Sequence, residues 1–388
     1  MNQGKYVFSQ LVEFASPTSF RTCVNRYNGN YKVKELPCWK QFLCMAFGQL
    51  THRESLRDTI LCLSANTDKL YHLGIGSLVS LSALAKANEK RDWRIYADFA
   101  NILIRQAKSL YGEDHGELEL SNPVFAIDAT TVDLCLSAFT WAKFRSTKAA
   151  IKIHAQLNVK TAIPEFIHIT TGKVHELNVL DLISFQPDSF YVFDRGYTDF
   201  KRLFHIHKSG AFFVIRARDR LSFKRIKSDS TARSRQILCD QTICFTNFYP
   251  HSFYPHHLRR IKFFDAESRK TLVFLTNNFE LKPTEIATLY RHRWKIELFF
   301  KWIKQHLKVK SFWGTSSNAV KTQIWIAISA YLLVAIAKKK LCLKNSLYEI
   351  LQVISISIFD RAVITDLFDR PKQIPDREVS PNQLTIFE

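Results

Sequence analysis

The sequence predicts a mixed α/β chain: a sheet flanked by helices, preceded by an all-helical region and interrupted by an inserted antiparallel β-run. Three observations carry that prediction. Apolar residues recur at helical spacing through the first 110 residues, as in "CWKQFLCMAFGQLTHRESLRDTILCLSA". From Val124 the period changes to two, and three strand-like runs give way to strand and helix in alternation. Short apolar runs separated by polar turns then fill residues 221–282 before helical spacing returns.

Within residues 1–110, Thr51 with Glu54 matches a capping box that starts a second helix. "SLVSLSALAKANEKRDWRIYADFANILIRQAKSLY" predicts at least one more long helix. Short helices separated by turns suit a helix-turn-helix DNA reader and a plain supporting bundle equally well. Residues 111–123, "YGEDHGELELSNP", are acidic with two Gly and a Pro and read as a linker. In 124–220 the strands are "VFAIDATTVDLCL", "AAIKIHAQLNV", "PEFIHITT", "SFYVFDRGY" and "AFFVIRARDR". Helices are expected at "HELNVLDLI" and at "DFKRLFHIHKSG", the latter closed by Gly210. The insertion, 221–282, carries "QILCDQTICFTNF", "RRIKFFD" and "KTLVFLTNN". Pro283-Thr284-Glu285 opens the 283–338 region with a helix through "LYRHRWKIELFFKWIKQHL". Residues 339–388 begin helical and end in a polar tail with three Pro.

Lys plus Arg outnumber Asp plus Glu by 55 to 35, a formal charge of +20. That excess points to a polyanionic partner, nucleic acid first and an anionic membrane second. The membrane reading weakens, because the best apolar run, Ile324–Ala337, has 14 residues against the roughly 20 a bilayer requires. No signal peptide follows Lys5, so the expected location is the cytoplasm. An apolar fraction of 46% with 31 Phe excludes a disordered chain. Six of the cysteines sit singly among apolar residues. Cys239 and Cys244, with His251, His256 and His257, hint at zinc, but their loose spacing favours an ordinary structural role.

The basic helix from Leu289 to Leu307 holds one acid, Glu297. At 3.6 residues per turn, Tyr290, Arg293, Glu297, Lys301 and Lys304 share one face. Leu289, Ile296, Phe299, Phe300, Ile303 and Leu307 form an apolar stripe beside it. Taken alone, Glu297 is explained by its ladder with Arg293 and Lys301, worth a few tenths of a kcal/mol per pair. Two further acids change the balance. Asp128 lies inside the apolar run "VFAIDAT" and Asp194 ends "YVFDRG". A carboxylate among β-formers is costly unless paired or liganded, and strand ends are where open sheets place functional groups. Asp133 competes with Asp128, and Asp181 and Asp199 compete with Asp194, though solvation explains those three. If Asp128, Asp194 and Glu297 converge, they make an all-oxygen site suited to Mg²⁺ or Mn²⁺. Two such ions can act on a phosphodiester, with the neighbouring cations holding phosphates.

Tyr290-x₂-Arg293-x₃-Glu297-x₆-Lys304 resembles the Tyr-Arg-Glu-Lys signature of the insertion-sequence 4 family of bacterial DDE transposases. "IDAT" and "FDRGY" resemble that family's first and second aspartate motifs, and the long interval between Asp194 and Glu297 matches its inserted β-subdomain. The likeness covers Pro123 to Trp313. It implies a ribonuclease H-like core in two parts, 124–220 and 283–338, with Asp128, Asp194 and Glu297 as catalytic metal ligands. Tyr290, Arg293 and Lys304 would contact DNA near the cleaved end, and Lys301 and Trp294 are placed to join them. The implied activity is cut-and-paste transposition with two Mg²⁺ ions, Mn²⁺ substituting. It would act on double-stranded element ends and target DNA, within a synaptic homodimer in the bacterial cytoplasm and nucleoid. No Trp lies between Leu221 and Leu281 to stack a flipped base, which leaves the hairpin step open to Phe263, Phe264 or Phe274. A nuclease without strand transfer and a catalytically silent DNA-binding derivative are the rival readings.

Overall fold

A computed structural model describes residues 4–112, 118, 120–218, 221–229, 235–305 and 312–369. Leu307, linker residues 113–117 and 119, and the tail from residue 370 lie outside the described residues. The N-terminal region is helical, with α1 (Val7–Val12), α2 (Pro17–Arg26), α3 (Cys38–Leu50), α4 (Leu56–Ser64), α5 (Leu81–Lys90) and α6 (Arg94–Tyr111). Ser16, Ser55 and Ser80 cap α2, α4 and α5, each hydroxyl accepting from the amide three residues on. The Thr51–Glu54 capping box does not form. Thr51 instead closes α3, its hydroxyl donating 2.8 Å to the Phe47 carbonyl, and Ser55 takes over the next helix start. A hydroxyl still within reach of its own helix's last carbonyls binds those first.

The sheet begins with β1 (Val124–Leu134), a short β2 (Lys143–Arg145), β3 (Lys148–Asn158) and β4 (Pro164–Thr171), joined antiparallel through β3. β5 (Phe190–Phe193) then runs parallel to β1, helix α7 (Phe200–Lys208) crosses over, and β6 (Phe212–Arg216) runs parallel to β5. The antiparallel strands β1, β3 and β4, followed by the parallel β5 and β6, give the ribonuclease H-like arrangement. Gly210 ends the crossover at φ +72°, a left-handed position that glycine adopts at little cost. "HELNVLDLI" forms a 3₁₀ turn, Glu176–Leu182, in place of the expected α-helix. Its buried residues, Val179 and Leu180, are adjacent and supply no helical stripe to hold longer pairing.

The insertion forms β7 (Phe223–Asp229), β8 (Ile237–Phe245), the short α8 (Phe248–Phe253), β9 (Leu258–Asp265) and β10 (Lys270–Thr276), its strands all antiparallel. These strands continue the core sheet, because β10 pairs with β6 through Leu275↔Ile215. The order is β2-β3-β1-β5-β6-β10-β9-β8-β7, with β4 on β3. The chain returns through α9 (Pro283–Arg291), α10 (Trp294–Gln305), α11 (Ser317–Lys340) and α12 (Leu347–Ser357). α11 is long and apolar enough to cross a bilayer, yet 94% of its apolar window is buried inside the protein. It packs against α3, α5 and α6, so the N-terminal helices and the sheet's helical layer share one hydrophobic core.

Candidate active site

The site starts from strand register. β1 and β5 pair from Val124↔Phe190 to Ala126↔Val192. Carrying that register on by two residues brings Asp128, inside β1, beside Asp194, the first residue past β5, close enough for their charges to interact. Asp128 Oδ1 accepts from the Ala129 amide at 2.8 Å. Burial pushes its carboxyl up to about 6, while that amide and Arg293 restrain the rise and the charges of Glu176 and Asp194 add to it.

The helix expected from Leu289 to Leu307 is two helices. Between α9 and α10 the pairing tightens to three-residue spacing, Arg293 N to Tyr290 O and Ile296 N to Arg293 O, both 3.1 Å. This turn rotates Arg293 toward the sheet, and its guanidinium bridges two acids. Nη1 lies 3.2 Å from Asp128 Oδ2, and Nη2 donates to Glu297 Oε1. Its Nε is buried with no hydrogen-bond partner. One turn earlier, the Tyr290 hydroxyl donates to Asp194 Oδ1 at 3.4 Å, with its ring against Phe274. Lys304 Nζ donates 2.6 Å to the Thr131 carbonyl and ties α10 to β1. The apolar stripe packs as expected, with Leu289, Ile296, Phe299, Phe300 and Ile303 buried.

The structure therefore gathers Asp128, Asp194, Glu297, Tyr290, Arg293 and Lys304. An open cleft of about 330 Å³ runs alongside, lined by Asp128, Ala129, Thr130, Glu297, Phe300, Lys301 and Lys304. Trp294, 57% exposed, instead borders a neighbouring hollow with Tyr290 and Arg291. Of the three phenylalanines considered for base stacking, Phe263 and Phe274 are buried in the core. Sheet alternation turns them toward α9, where they line the hollow that Trp294 borders. The competitors are occupied elsewhere: Asp181 and Asp199 both pair with Arg202. Cys239 and Cys244 are five apart on β8, hence on opposite faces, and do not meet.

Two residues escaped sequence reasoning. Glu176 opens the 3₁₀ turn, pairs with Lys152 at 3.2 Å, and places negative charge near Asp128. Tyr197 is buried with its hydroxyl unpartnered, and burial followed by the charges of Asp128, Glu176 and Asp194 raises its pKa. Tyr197 was visible only as part of "FDRGY", and the turn that presents Glu176 has no periodic signal.

The donors fit a hard divalent cation by chemistry: oxygen-only, partly buried, and already neutralised by a stand-in cation, the Arg293 guanidinium. With Arg293 interposed, no three His, Cys, Asp or Glu side chains among the described residues close into a metal cage.

A ribonuclease H-like sheet that brings Asp128 of β1 and Asp194 past β5 to face a basic helix suits an enzyme of phosphodiester chemistry. A profile described as a transposase DDE domain matches residues 119–333, more than half of the sequence, and the chain belongs to that family. It is a DDE transposase by family, and the family works with a divalent metal. A domain of unknown function (DUF4372) matches residues 3–76. The chain is 28% identical over 311 residues to a Sinorhizobium fredii protein named as transposase y4zB, covering 78% of this chain and 85% of that one. Against a Geobacillus stearothermophilus protein named as a transposase for insertion sequence element IS5377, identity is 31% over 56% of this chain and 57% of the other. A Synechocystis protein named as a transposase for element IS4SA is 25% identical over 66% and 72%. A solved piggyBac transposase synaptic complex with hairpin DNA aligns over 93% of this chain and 81% of its own, at 12% identity and a TM-score of 0.46.

Proposed function

We propose that this transposase binds the terminal inverted repeats of its own insertion sequence, nicks them with Mg²⁺, and joins them to target DNA. The observation that carries this reading is the meeting of Asp128, inside β1, with Asp194, just past the end of the parallel strand β5, each met by a side chain of the Tyr-Arg-Glu-Lys set. Asp128, Asp194 and Glu297 would hold the metal, two Mg²⁺ ions or Mn²⁺ in their place. When bound there, such ions activate a water or hydroxyl and stabilise the leaving oxygen.

The chain's own residues do the positioning. Lys301 and Lys304 line the cleft and supply cations to flanking phosphates. The Tyr290 hydroxyl orients Asp194, and Lys304, anchored on Thr131, fixes the distance from α10 to β1. Trp294 offers an exposed indole at the neighbouring hollow, on the side of Tyr290 and Arg291. Residues 124–220 and 283–338 serve as the catalytic core, with residues 1–110 as a DNA-binding or supporting domain. Joining two ends in one event calls for two copies, one at each end, which supports a synaptic homodimer. The reaction takes place in the bacterial cytoplasm.

The test incubates purified protein with a labelled element end, target DNA and Mg²⁺. Joined products support transposition, nicks alone support a nuclease without strand transfer, and shifted but uncut DNA supports a silent DNA-binding derivative.

A further inference from the structure

The residue whose position the sequence did not foresee is Arg293. It was expected to face outward to phosphate, yet it lies between Asp128 and Glu297, within ion-pair distance of both. A guanidinium that served only to lock the fold would use all its donors. This one divides its two terminal nitrogens between separate carboxylates and leaves Nε buried without a partner. It sits at the turn between α9 and α10, where the backbone is not committed to either helix. Glu297 and Asp128, the two acids that Arg293 joins, both line the open cleft with Lys301 and Lys304, so a phosphate held there lies beside the very groups the guanidinium touches.

We propose that Arg293 is a resident counter-cation that couples DNA binding to metal binding. Without DNA, it neutralises Asp128 and Glu297 and competes with a divalent ion for their oxygens. A DNA phosphate can take both terminal nitrogens in two parallel charge-assisted hydrogen bonds, whereas Asp128 and Glu297 each accept only one. Capture of Arg293 by phosphate therefore frees both carboxylates at the moment the substrate arrives. By linkage, DNA then raises affinity for the metal and the metal raises affinity for DNA by the same factor. The enzyme keeps its acids occupied until there is a phosphodiester to cut. This rests on the carboxylates being the metal site, and extends that reading to its control.

The experiment measures Mn²⁺ binding to the full chain by calorimetry and by loss of the free-ion EPR signal. It is done with and without a duplex whose end is already cut, so that no hydrolysis intervenes. For the native chain, the duplex should tighten Mn²⁺ binding by about 10-fold, within the 5–150-fold span usual for coupled sites. Arg293→Ala should bind Mn²⁺ about 10-fold tighter without DNA and gain less than about 3-fold from the duplex. Arg293→Gln, which keeps a hydrogen-bonding side chain and loses the charge, should behave the same way. Thermal unfolding of both variants confirms a folded chain. Unchanged or weaker DNA-free Mn²⁺ binding in both variants, or an undiminished effect of the duplex, overturns the proposal. If that happens while the native protein still cleaves element ends, only the coupling fails. Should the native chain neither bind Mn²⁺ nor cleave, the metal-site reading falls with it.

Discussion

Two arginines in this molecule lie between acids, and they are held in opposite ways. Arg259, on β9 of the insertion, meets Asp240 of β8 through two parallel hydrogen bonds of 2.9 and 2.7 Å. Its remaining donor reaches the carbonyls of Asn278 and Leu281, and both partners are almost wholly buried. Arg293 spreads over Asp128 and Glu297 with one contact to each, keeps an unsatisfied Nε, and holds two acids that line an open cleft. The first is a lock: all three nitrogens donate, in four hydrogen bonds, so little is gained by moving. The second is held by charge and little geometry, so a better anion can take it. The same residue types thus fasten the insertion to the chain entering α9 in one place and leave a site adjustable in the other.

The sharpest way to test that contrast is to remove an acid from each. Glu297→Gln should lower cleavage of a labelled element end by about 10³-fold or more, leaving DNA binding within about 3-fold, since it deletes a negative ligand and no cation. Near-normal cleavage by this variant would remove Glu297 from the site.

At the lock, Asp240→Ala strands a buried guanidinium and should cost about 3–5 kcal/mol of stability in urea unfolding. Arg293→Ala should cost well under half as much, because Asp128 can take up a proton and the more exposed Glu297 keeps its contact with water. Equal losses would erase the distinction between the two arginines.

Next in size comes a pH effect. Asp128 holds its proton up to about 6 in the folded chain, above its ordinary 3.8. The native state therefore binds more protons than the unfolded one across this window, and stability falls as pH rises from about 4 through 6. Asp128→Asn should leave melting unchanged at pH 4 and stabilise the DNA-free protein at pH 8, on the order of 1–3 kcal/mol. Buried His154, with its pKa pushed down to about 4 by desolvation first and then by His168 and Lys152, works in the opposite sense: its contribution is full above about 6.5 and is lost as pH falls through 4. Comparing each variant with the native chain separates the two. A gain from Asp128→Asn that does not grow with pH would contradict the burial argument.

The smallest expected effect is on the salt dependence of end binding. Arg293→Ala should lower the slope of log affinity against log salt by about one. An unchanged slope would mean that Arg293 never meets a phosphate.

Much of the fold was legible because it follows from local pattern. The change from helical to alternate spacing at Val124, the strands around Asp128 and Asp194, the α7 crossover ending at Gly210 and the buried apolar run of α11 are all periodicities of contiguous residues. The Thr51 capping box, the helix at "HELNVLDLI" and the unbroken helix through Arg293 were misjudged. Each depends on which of two near-equal local pairings wins, a choice made by a few hydrogen bonds. In the same way, the insertion's strands read as antiparallel from sequence, but nothing in them says that β10 would pair with β6 and extend the core sheet.

The sequence by itself determined the chemistry available here: two aspartates too costly to bury without a purpose, a glutamate among cations, and a spacing shared with DDE transposases. Tertiary structure decided the rest. Parallel register set Asp194 beside Asp128, alternation put Phe263 and Phe274 into the core, and a tightened turn sent Arg293 inward between two acids. The reason is physical. Backbone period and side-chain type are properties of neighbours along the chain, whereas the partner of a charged group is settled by long-range packing, where burial raises the cost of leaving a charge unpaired.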